Sequence, residues 1–252
     1  MKLQIRNAFN RASASYEQSA LVQKKVAGLC ADLVPRGNYP RVMEIGAGAG
    51  FLAVALLPRI QTEEYVALDI AEQMVQKEIF RTHPVLIPMV GDGEKLPFSG
   101  PCVDLLVSSS AMQWYLEPDI SIPNNVSLLR PGGRFVWALF VRGTLAELAD
   151  VSARTGFGSV FPLQEKELYE RILEHIPGIS FTLHTRSLTL WYDSVADFLR
   201  AHRETGARYS AGRGRVGRRA YMEFCRVYEA VYGRQGRVPA SYETVFIEGW
   251  KR

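Results

Sequence analysis

The sequence predicts an α/β protein built on a Rossmann-like, doubly wound sheet of seven strands, mostly parallel, with an antiparallel hairpin at one edge. Short apolar runs alternate with helix-length segments through the first 140 residues or so, which is the pattern of a parallel sheet covered by helices on both faces. The first of these runs passes directly into three alternating glycines at positions 46, 48 and 50. A chain of 252 residues that is 47% hydrophobic can bury a large core.

The individual elements follow from the spacing of apolar residues. A helical preamble comes first, since apolar residues between Leu3 and Val34 recur at roughly helical spacing. Five apolar runs bounded by polar or turn residues are then predicted strands: 42–45, 65–68, 86–90, 103–108 and 134–140. The late region predicts four helices that form a cap over the site and two strands that form the edge hairpin: helices 144–153, 163–174, 195–204 and 218–232, and strands 179–192 and 242–251.

We expect a single domain over residues 1–252. It divides into N-terminal helices at 1–38, a cofactor-binding core at 39–142, cap helices with a late strand at 143–240, and a final strand at 241–252. No apolar run approaches the ~20 residues needed to span a bilayer, and the first residues lack the apolar core of a signal peptide. The sequence therefore predicts a cytoplasmic protein with no membrane partner.

A metal site is not expected. Cys30, Cys102 and Cys225 are odd in number and widely spaced, which favours reduced thiols over a disulfide framework or a zinc site. The four histidines likewise lack the spacing of metal ligands.

The glycine-rich segment after the first predicted strand is the strongest functional signal. Gly46, Gly48 and Gly50 have no Cβ, so the backbone can turn sharply and lie directly against a small molecule. The dinucleotide fingerprint G-x-G-x-x-G would place its third glycine at the position of Phe51. The loop therefore predicts a cofactor site but does not favour NAD.

Two acids accompany this loop. Asp69 ends the second predicted strand, nineteen residues after Gly50, and a carboxylate there accepts hydrogen bonds from both ribose hydroxyls. Glu44 precedes the glycines, and a positively charged ligand tolerates this second acid better than a pyrophosphate does. The pair favours a sulfonium nucleoside with an amino-acid tail.

Four segments in register resemble the motifs of class I S-adenosylmethionine methyltransferases: 44–50, Asp69, 91–98 and 129–133. The resemblance implies that S-adenosylmethionine is the cofactor and S-adenosylhomocysteine the product, without a metal. By the same resemblance, Glu44 and the glycines flank the methionine part, Asp69 holds the ribose and Asp92 faces the adenine amino group. The implied cofactor-binding residues are Glu44, Gly46, Ala47, Gly48, Gly50, Asp69, Ile70, Met74, Asp92, Gly93, Glu94 and Ser108.

The segment 108–114 selects the chemistry, because ligands of open α/β sheets lie beyond the carboxyl ends of the strands. It lacks the acid or Asn followed by two prolines that is usual in enzymes that methylate adenine or glutamine amino groups, so nucleic-acid methylation is disfavoured. The stretch Ala-Met-Gln-Trp at 111–114 instead is similar to malonyl-[acyl-carrier protein] O-methyltransferases, which esterify the free carboxyl of a malonyl thioester at the start of biotin synthesis. Looser similarities to that family extend over nearly the whole chain, at 9–23, 143–148, 188–193 and 206–207.

This resemblance implies methyl transfer to a carboxylate, which is ionised at neutral pH and requires no general base. Arginine holds a carboxylate through two parallel hydrogen bonds, and Arg142, just past the fifth predicted strand, is the candidate. Capping of a surface turn is the alternative for Arg142, and simple packing is the alternative for Tyr16 and Trp114. The predicted catalytic residues are Tyr16, Gln113 and Arg142, and the predicted substrate-binding residues are Trp114, Arg142, His202 and Arg203.

A basic segment lies in the late region. Between Arg200 and Arg219 there are seven arginines and one acid, Glu204, in a chain whose net charge is +4. Acyl carrier proteins are strongly acidic, so the resemblance implies that this patch docks the carrier that bears the malonyl thioester. RNA would be attracted by the same charge, but no nucleic-acid motif is present. A solvated loop at 211–215 is an equal alternative.

Two other functions stay open on the sequence alone. One is methyl transfer to another small carboxylic acid or a quinone precursor, which would proceed on free dicarboxylates without a carrier. The other is a non-catalytic module that binds the cofactor or RNA, which would bind without turnover.

Overall fold

The computed structural model describes residues 1–207 and 217–252 and confirms the predicted Rossmann-like α/β fold. The main sheet has seven strands in the order β3-β2-β1-β4-β5-β7-β6. Numbered along the chain, they are β1 Arg41–Ile45, β2 Glu64–Asp69, β3 Leu86–Val90, β4 Val103–Ser109, β5 Leu129–Phe140, β6 Ile179–Tyr192 and β7 Val238–Lys251.

Strands β1 to β5 run parallel, while β7 is antiparallel to both of its neighbours, β5 and β6. The edge hairpin predicted from the sequence is therefore confirmed. Ile45 of β1 lies opposite Leu68 of β2 and Ser108 of β4. Because these parallel strands end at the same level, the residues that follow them meet at one edge of the sheet.

Ten α-helices surround the sheet in the described part of the chain. They are α1 Lys2–Ser19, α2 Leu21–Leu33, α3 Phe51–Leu56, α4 Glu72–Val75, α5 Glu78–Thr82, α6 Pro118–Ser127, α7 Ala146–Thr155, α8 Lys166–Glu174, α9 Val195–Glu204 and α10 Arg218–Tyr232. Short 3₁₀ turns cover Leu57–Arg59 and Met112–Trp114, and Gly37–Asn38 pairs with Ile60–Gln61 as a small separate sheet.

Helices cover both faces of the sheet, which explains why the central strands are buried along almost their whole length. One apolar cluster holds side chains of α2, α3, α7, α9 and α10 against one face. A second cluster holds side chains of α6 and α8 against the other face, around Phe135 and Trp137 of β5. Helix α1 belongs to neither: Tyr16 packs with Ala49 and Met74, beyond the strand ends.

The structure sharpens two predicted boundaries. The predicted preamble is two helices, because the backbone at Ala20 leaves the helical region (φ −84°, ψ 50°). Strand β5 begins five residues before the predicted strand, and its register with β4 shifts between Val103 and Leu105. The glycines at 132 and 133 fall in this irregular stretch, with Gly132 at φ +80°, and a glycine inside a strand often marks such a bulge.

Within residues 1–207 and 217–252, none of the helices combines the length and the apolar character needed to cross a membrane. The predicted domain boundaries stay a prediction.

Candidate functional site

A pocket lies at the carboxyl ends of β1, β2 and β4, underneath helix α1. Its walls come from the glycine loop, the residues after β2 and β3, the segment after β4, and one side of α1. Nine residues predicted from the sequence line it: Tyr16, Gly46, Gly48, Asp69, Ile70, Met74, Asp92, Gly93 and Trp114.

The glycine loop presents bare backbone to this pocket. Gly46, Gly48 and Gly50 adopt φ values of +76°, +53° and +82°, a region that residues with a Cβ rarely occupy. A Cβ on Gly46 would lie 2.1 Å from the Cβ of Ala111, so the loop touches the segment that follows β4. Ala47 and Gly50 support the loop, since the Gly50 N–H donates to the Ala47 carbonyl at 2.9 Å, but neither lines the pocket.

Asp69 is fixed between two backbone segments. Its Oδ2 accepts from the Gly48 N–H and its Oδ1 from the Ala71 N–H, both at 2.8 Å. Burial raises the pKa of Asp69 to about 6, against the lowering effect of these backbone hydrogen bonds. Each carboxylate oxygen keeps a further lone pair, so Asp69 can accept from two hydroxyls of a ligand without losing its own hydrogen bonds.

Glu44 lies beneath the loop and does not line the pocket. It is 1% exposed and accepts a hydrogen bond from the Tyr65 hydroxyl at 2.8 Å. Burial raises the pKa of Glu44 to about 8, with the Tyr65 hydrogen bond lowering it and nearby Asp69 raising it further. The carboxyl is therefore mostly protonated at neutral pH, and its contact with a methionine tail stays a prediction.

Helix α1 covers the pocket. Tyr16 is buried, its ring stacks on Phe51 at a centroid distance of 5.9 Å, and burial raises the pKa of its hydroxyl. At the start of the helix, Lys2 Nζ lies 3.0 Å from Asp92 Oδ1 and 2.5 Å from Glu94 Oε2. These ion pairs join the first turn of α1 to the loop after β3.

Neighbouring elements hold α1 in this position. The Ser15 and Ser19 hydroxyls donate to the backbone and the carboxylate of Glu204, at 3.0 and 2.6 Å. Lys77, at the start of α5, donates to the Ser13 carbonyl at 2.7 Å. Gly206 packs against the helix so closely that a Cβ there would lie 3.0 Å from the Ala8 carbonyl oxygen. Helix α1 is therefore attached on both sides of the pocket.

Glu94 has a structural position outside the pocket lining. Its carboxylate accepts from the backbone N–H groups of Leu116 and Glu117 at 2.8 to 3.0 Å, just before α6. An acid at the start of a helix stabilises it. Gly93 does line the pocket, and a Cβ there would lie 2.5 Å from Ile45 Cγ2.

The end of β4 and the segment that follows it form another wall of the pocket. Ser109, Ser110, Ala111 and Trp114 line the pocket here. Ser108 does not: its hydroxyl donates to the Ile45 carbonyl at 2.8 Å and ties β4 to β1. Three side-chain atoms of this segment are buried without a hydrogen-bond partner among the described residues: Ser109 Oγ, Ser110 Oγ and Gln113 Oε1.

Aromatic rings close this wall. The Trp114 ring lies 5.9 Å from Phe9 of α1 and 4.7 Å from Phe161, distances at which aromatic pairs attract each other. Trp114 therefore contacts α1 as well as the segment before α8, and shields the pocket from that side.

Three predicted substrate residues are not brought to the pocket. Arg142 is exposed and pairs with Glu165 at 2.5 Å. His202 and Arg203 lie on α9, where the His202 ring is 6.2 Å from Phe198 and Arg203 is exposed. Their substrate roles stay predictions. The middle of the arginine-rich patch, 208–216, is outside the described residues.

The sequence did not identify several pocket residues. Lys2, Ile5 and Phe9 reach it only because α1 folds back over the strand ends, and nothing in their spacing distinguishes this from packing on a sheet face. Ser109 and Ser110 fall inside the segment 108–114 that was predicted to face the reacting centre, and their position after β4 was the available signal. Among the described residues, no group of three His, Cys, Asp or Glu side chains is arranged to hold a metal.

Comparison with known proteins places this geometry in context. The family model described as "Methyltransferase domain" matches residues 43–137, the part that contains the glycine loop, Asp69, Asp92 and the segment after β4. The malonyl-[acyl-carrier protein] O-methyltransferase of Geobacter sulfurreducens is 31% identical, over 97% of this chain and 97% of the relative. The enzyme of the same name from Methylococcus capsulatus is 32% identical, over 94% of this chain and 90% of the relative.

Solved structures agree on the fold. The YcgJ protein from Bacillus subtilis superposes with a TM-score of 0.62 at 15% identity, over 90% of this chain and 98% of that protein. Geranyl diphosphate methyltransferase in complex with SAM superposes with a TM-score of 0.53 at 14% identity, over 91% of this chain and 85% of that protein. At these identities the likeness supports the architecture alone.

Proposed function

Because the chain belongs to the malonyl-[acyl-carrier protein] O-methyltransferase family, we propose that it transfers a methyl group to the free carboxylate of malonyl-acyl carrier protein. The product is the malonyl methyl ester at the start of biotin synthesis. One observation carries the proposal: full-length similarity to enzymes of that name coincides with a pocket in which the glycine loop, Asp69 and the segment after β4 meet.

The methyl donor of the reaction is S-adenosylmethionine, and the residues of the pocket fit it. Gly46 and Gly48 offer bare backbone at positive φ, where a side chain would fill the space beside Ala111 or Tyr16. Asp69 is held at the carboxyl end of β2 with lone pairs left for ribose hydroxyls. Met74 gives the pocket an apolar surface. When bound, this cofactor supplies a methyl group on a positively charged sulfur.

The acceptor needs little chemical activation. A carboxylate is already ionised at neutral pH, so the protein does not have to remove a proton from it. The protein must instead hold the attacking oxygen in line with the methyl carbon, and such positioning contributes on the order of 7 to 11 kcal/mol at best. The wall formed by Ser109, Ser110, Ala111 and Trp114 touches the glycine loop at Ala111, which supports it as the place where the acceptor binds.

Exclusion of water supports the same reaction. A negative carboxylate and a positive sulfonium neutralise each other as the methyl group moves, and water stabilises the separated charges more than the transition state. Helix α1 and the rings of Phe9, Tyr16 and Trp114 cover the pocket. They keep solvent away from the reacting atoms.

The carrier protein is proposed to dock on the arginine-rich patch. Of its seven arginines, Arg200, Arg203, Arg218 and Arg219 lie in the described part of the chain, at the end of α9 and the start of α10. Arg200 and Arg203 lie on α9 shortly before Gly206, which packs on the helix that covers the pocket. An acidic partner is attracted to such a surface.

The test is transfer of labelled methyl from S-adenosylmethionine to malonyl-acyl carrier protein, with malonyl-coenzyme A and free malonate in parallel. We expect labelling that depends on the carrier. Failure to label any malonyl compound would sink the proposal, and equal labelling of free malonate would favour a methyltransferase for small acids instead.

The same assay examines Arg142, with Arg154 as a matched control. Both side chains are exposed and ion-paired, Arg142 with Glu165 and Arg154 with Asp150 on α7. If Arg142 holds the substrate carboxylate as the sequence predicts, Arg142→Ala loses labelling and Arg154→Ala does not. Equal activities of the two variants would remove Arg142 from the site.

A further inference from the structure

One point of the pocket wall carries polar atoms that the protein itself leaves without hydrogen bonds. The hydroxyls of Ser109 and Ser110 are buried and have no partner among the described residues, and both residues line the pocket. A buried hydroxyl without a partner destabilises the folded state, and such groups usually find one. Two such hydroxyls on consecutive residues of a pocket wall indicate a ligand that forms hydrogen bonds with them, and a ligand carboxylate can only accept.

The backbone at this point is also held in an uncommon conformation. Ser110 has φ +58°, a conformation that is strained for a residue with a Cβ. Two hydrogen bonds maintain it: the Ser110 N–H donates to the Ala138 carbonyl at 2.7 Å, and Gln113 Nε2 donates to the Ser110 carbonyl at 2.8 Å. Gln113 is 5% exposed and does not line the pocket. Its contact in the structure is therefore with the Ser110 backbone.

The pocket offers little positive charge for an acidic substrate. Lys2 is the only basic side chain among the described residues that line it, and it already pairs with Asp92 and Glu94. Arg142 pairs with Glu165 outside the lining. The hydroxyls of Ser109 and Ser110 are neutral donors in the same wall, beside Ala111, which touches the glycine loop.

Uncharged hydrogen-bond donors suit a reaction in which the substrate carboxylate loses its negative charge. The carboxylate loses its negative charge as the ester forms, so an arginine would stabilise the starting carboxylate more than the transition state and slow the transfer. Serine hydroxyls orient the carboxylate but stabilise its charged starting state less than an arginine does, so they slow the transfer less. They also bind the neutral ester more weakly than the charged acid, which favours product release.

We propose that the Ser109 and Ser110 hydroxyls hold the acceptor carboxylate by two neutral hydrogen bonds, with Gln113 as a positioning residue that maintains the Ser110 backbone. This proposal rests on the proposed function. The hydroxyls donate to one carboxylate oxygen or share both, while the attacking oxygen forms its bond to the methyl carbon and the carbon–sulfur bond breaks. No proton is exchanged.

The test compares Ser109→Ala and Ser110→Ala with a matched control. Ser152 on α7 also has a buried hydroxyl without a partner among the described residues, but it lies outside the pocket. We expect kcat/KM for malonyl-acyl carrier protein to fall about 10- to 100-fold in each of the first two variants, mainly through KM. The dissociation constant for S-adenosylmethionine should stay within about twofold in both, and Ser152→Ala should keep wild-type kinetics.

Ser110→Gly distinguishes the effect of losing the hydroxyl from the effect of the strained backbone. Glycine relieves the cost of the positive φ, so this variant should melt at or above the wild-type temperature and still lose the same kcat/KM as Ser110→Ala. Ser109→Thr keeps a hydroxyl and should recover activity relative to Ser109→Ala. Gln113→Leu should lower kcat/KM in the wild type but add little in the Ser110→Gly background, because no hydroxyl is left there to position.

The possible results distinguish failure of the proposed function from failure of this inference alone. Wild-type protein that does not methylate malonyl-acyl carrier protein overturns the proposed function and this inference with it. Active wild-type protein whose Ser109→Ala and Ser110→Ala variants keep wild-type kcat/KM overturns the inference alone. Activity lost together with cofactor affinity, or lost in proportion to melting temperature, assigns these serines to the fold and also overturns it.

Discussion

The two sides of the pocket are built differently. On the cofactor side, the N–H groups of Gly46, Ala47 and Gly48 already donate to the Leu68 carbonyl or to the Asp69 carboxylate at 2.8 to 3.0 Å. On the acceptor side, the Ser109 and Ser110 hydroxyls have no partner in the described chain. The first side is assembled by the fold before any ligand arrives, whereas the second side keeps hydrogen-bonding capacity for the ligand and is less stable because of it.

The largest effect is expected on the assembled side, from Gly46→Ala. The new Cβ would lie 2.1 Å from that of Ala111, at φ +76°, so either the loop or the segment after β4 must move. We expect the free energy of unfolding, measured in urea, to fall by about 3 kcal/mol or more. Gly132→Ala is the matched control, because its φ is +80° with no atom within 4 Å, and it should cost only about 1 kcal/mol. Equal losses would show that the contact with Ala111 is unimportant.

The next effect is expected from Asp69→Asn. An amide has one acceptor oxygen, so it cannot accept from both the Gly48 and Ala71 N–H groups as Asp69 does. We expect the affinity for S-adenosylmethionine, measured by calorimetry, to fall on the order of 100-fold. Asp104→Asn is the control, since Asp104 also accepts from a backbone N–H, that of Arg41, but at the opposite end of the sheet. A similar loss of affinity in both variants would point to general destabilisation.

Glu44 provides a pH test of the layer beneath the cofactor side. Its pKa in the folded protein is about 8, raised from 4.5 chiefly by burial. The protonated form is favoured by folding, so its stabilising contribution is fully present below pH 4.5 and is lost as pH rises through 8.

Asp69 has a raised pKa as well, about 6, so it is largely ionised above about pH 7 and the range from pH 7 to 8 isolates Glu44. There the free energy of unfolding should fall by about 1 kcal/mol per pH unit. Glu44→Gln should flatten this slope. An unchanged slope in the variant would assign the pH dependence to another group.

The smallest effect is expected from Lys2→Met on the helix that covers both sides. Its ion pairs with Asp92 and Glu94 are partly exposed, and such pairs contribute little and are screened by salt. We expect the dissociation constant for S-adenosylmethionine to rise about two- to fivefold at low salt and hardly at all at high salt. Lys25→Met, an exposed lysine on α2, should have no effect at either salt concentration. A salt-independent loss would indicate that Lys2 contacts the cofactor directly.

The same contrast explains what the sequence could predict. The fold and its hairpin were confirmed because alternating apolar runs report burial directly, and the glycine loop was brought beside Asp69 because parallel strands end at one edge. Features built from the backbone can be predicted from the sequence, for example from the spacing of glycines. Side-chain partners cannot be predicted in this way, because the pairing of Arg142 with Glu165 depends on the path of the chain before α8. That the Ser109 and Ser110 hydroxyls have no partner appears only once every neighbour is in place.

The position of helix α1 affects how a ligand enters and leaves the pocket. It covers the pocket while it is attached to α9 through Glu204 and to the start of α5 through Lys77. We expect a nucleoside-sized ligand to enter and leave as α1 moves, with Ala20, where the backbone leaves the helical region, as the hinge. If α1 has to open once per turnover, we expect the exchange of spent for fresh cofactor to limit the rate of the cycle.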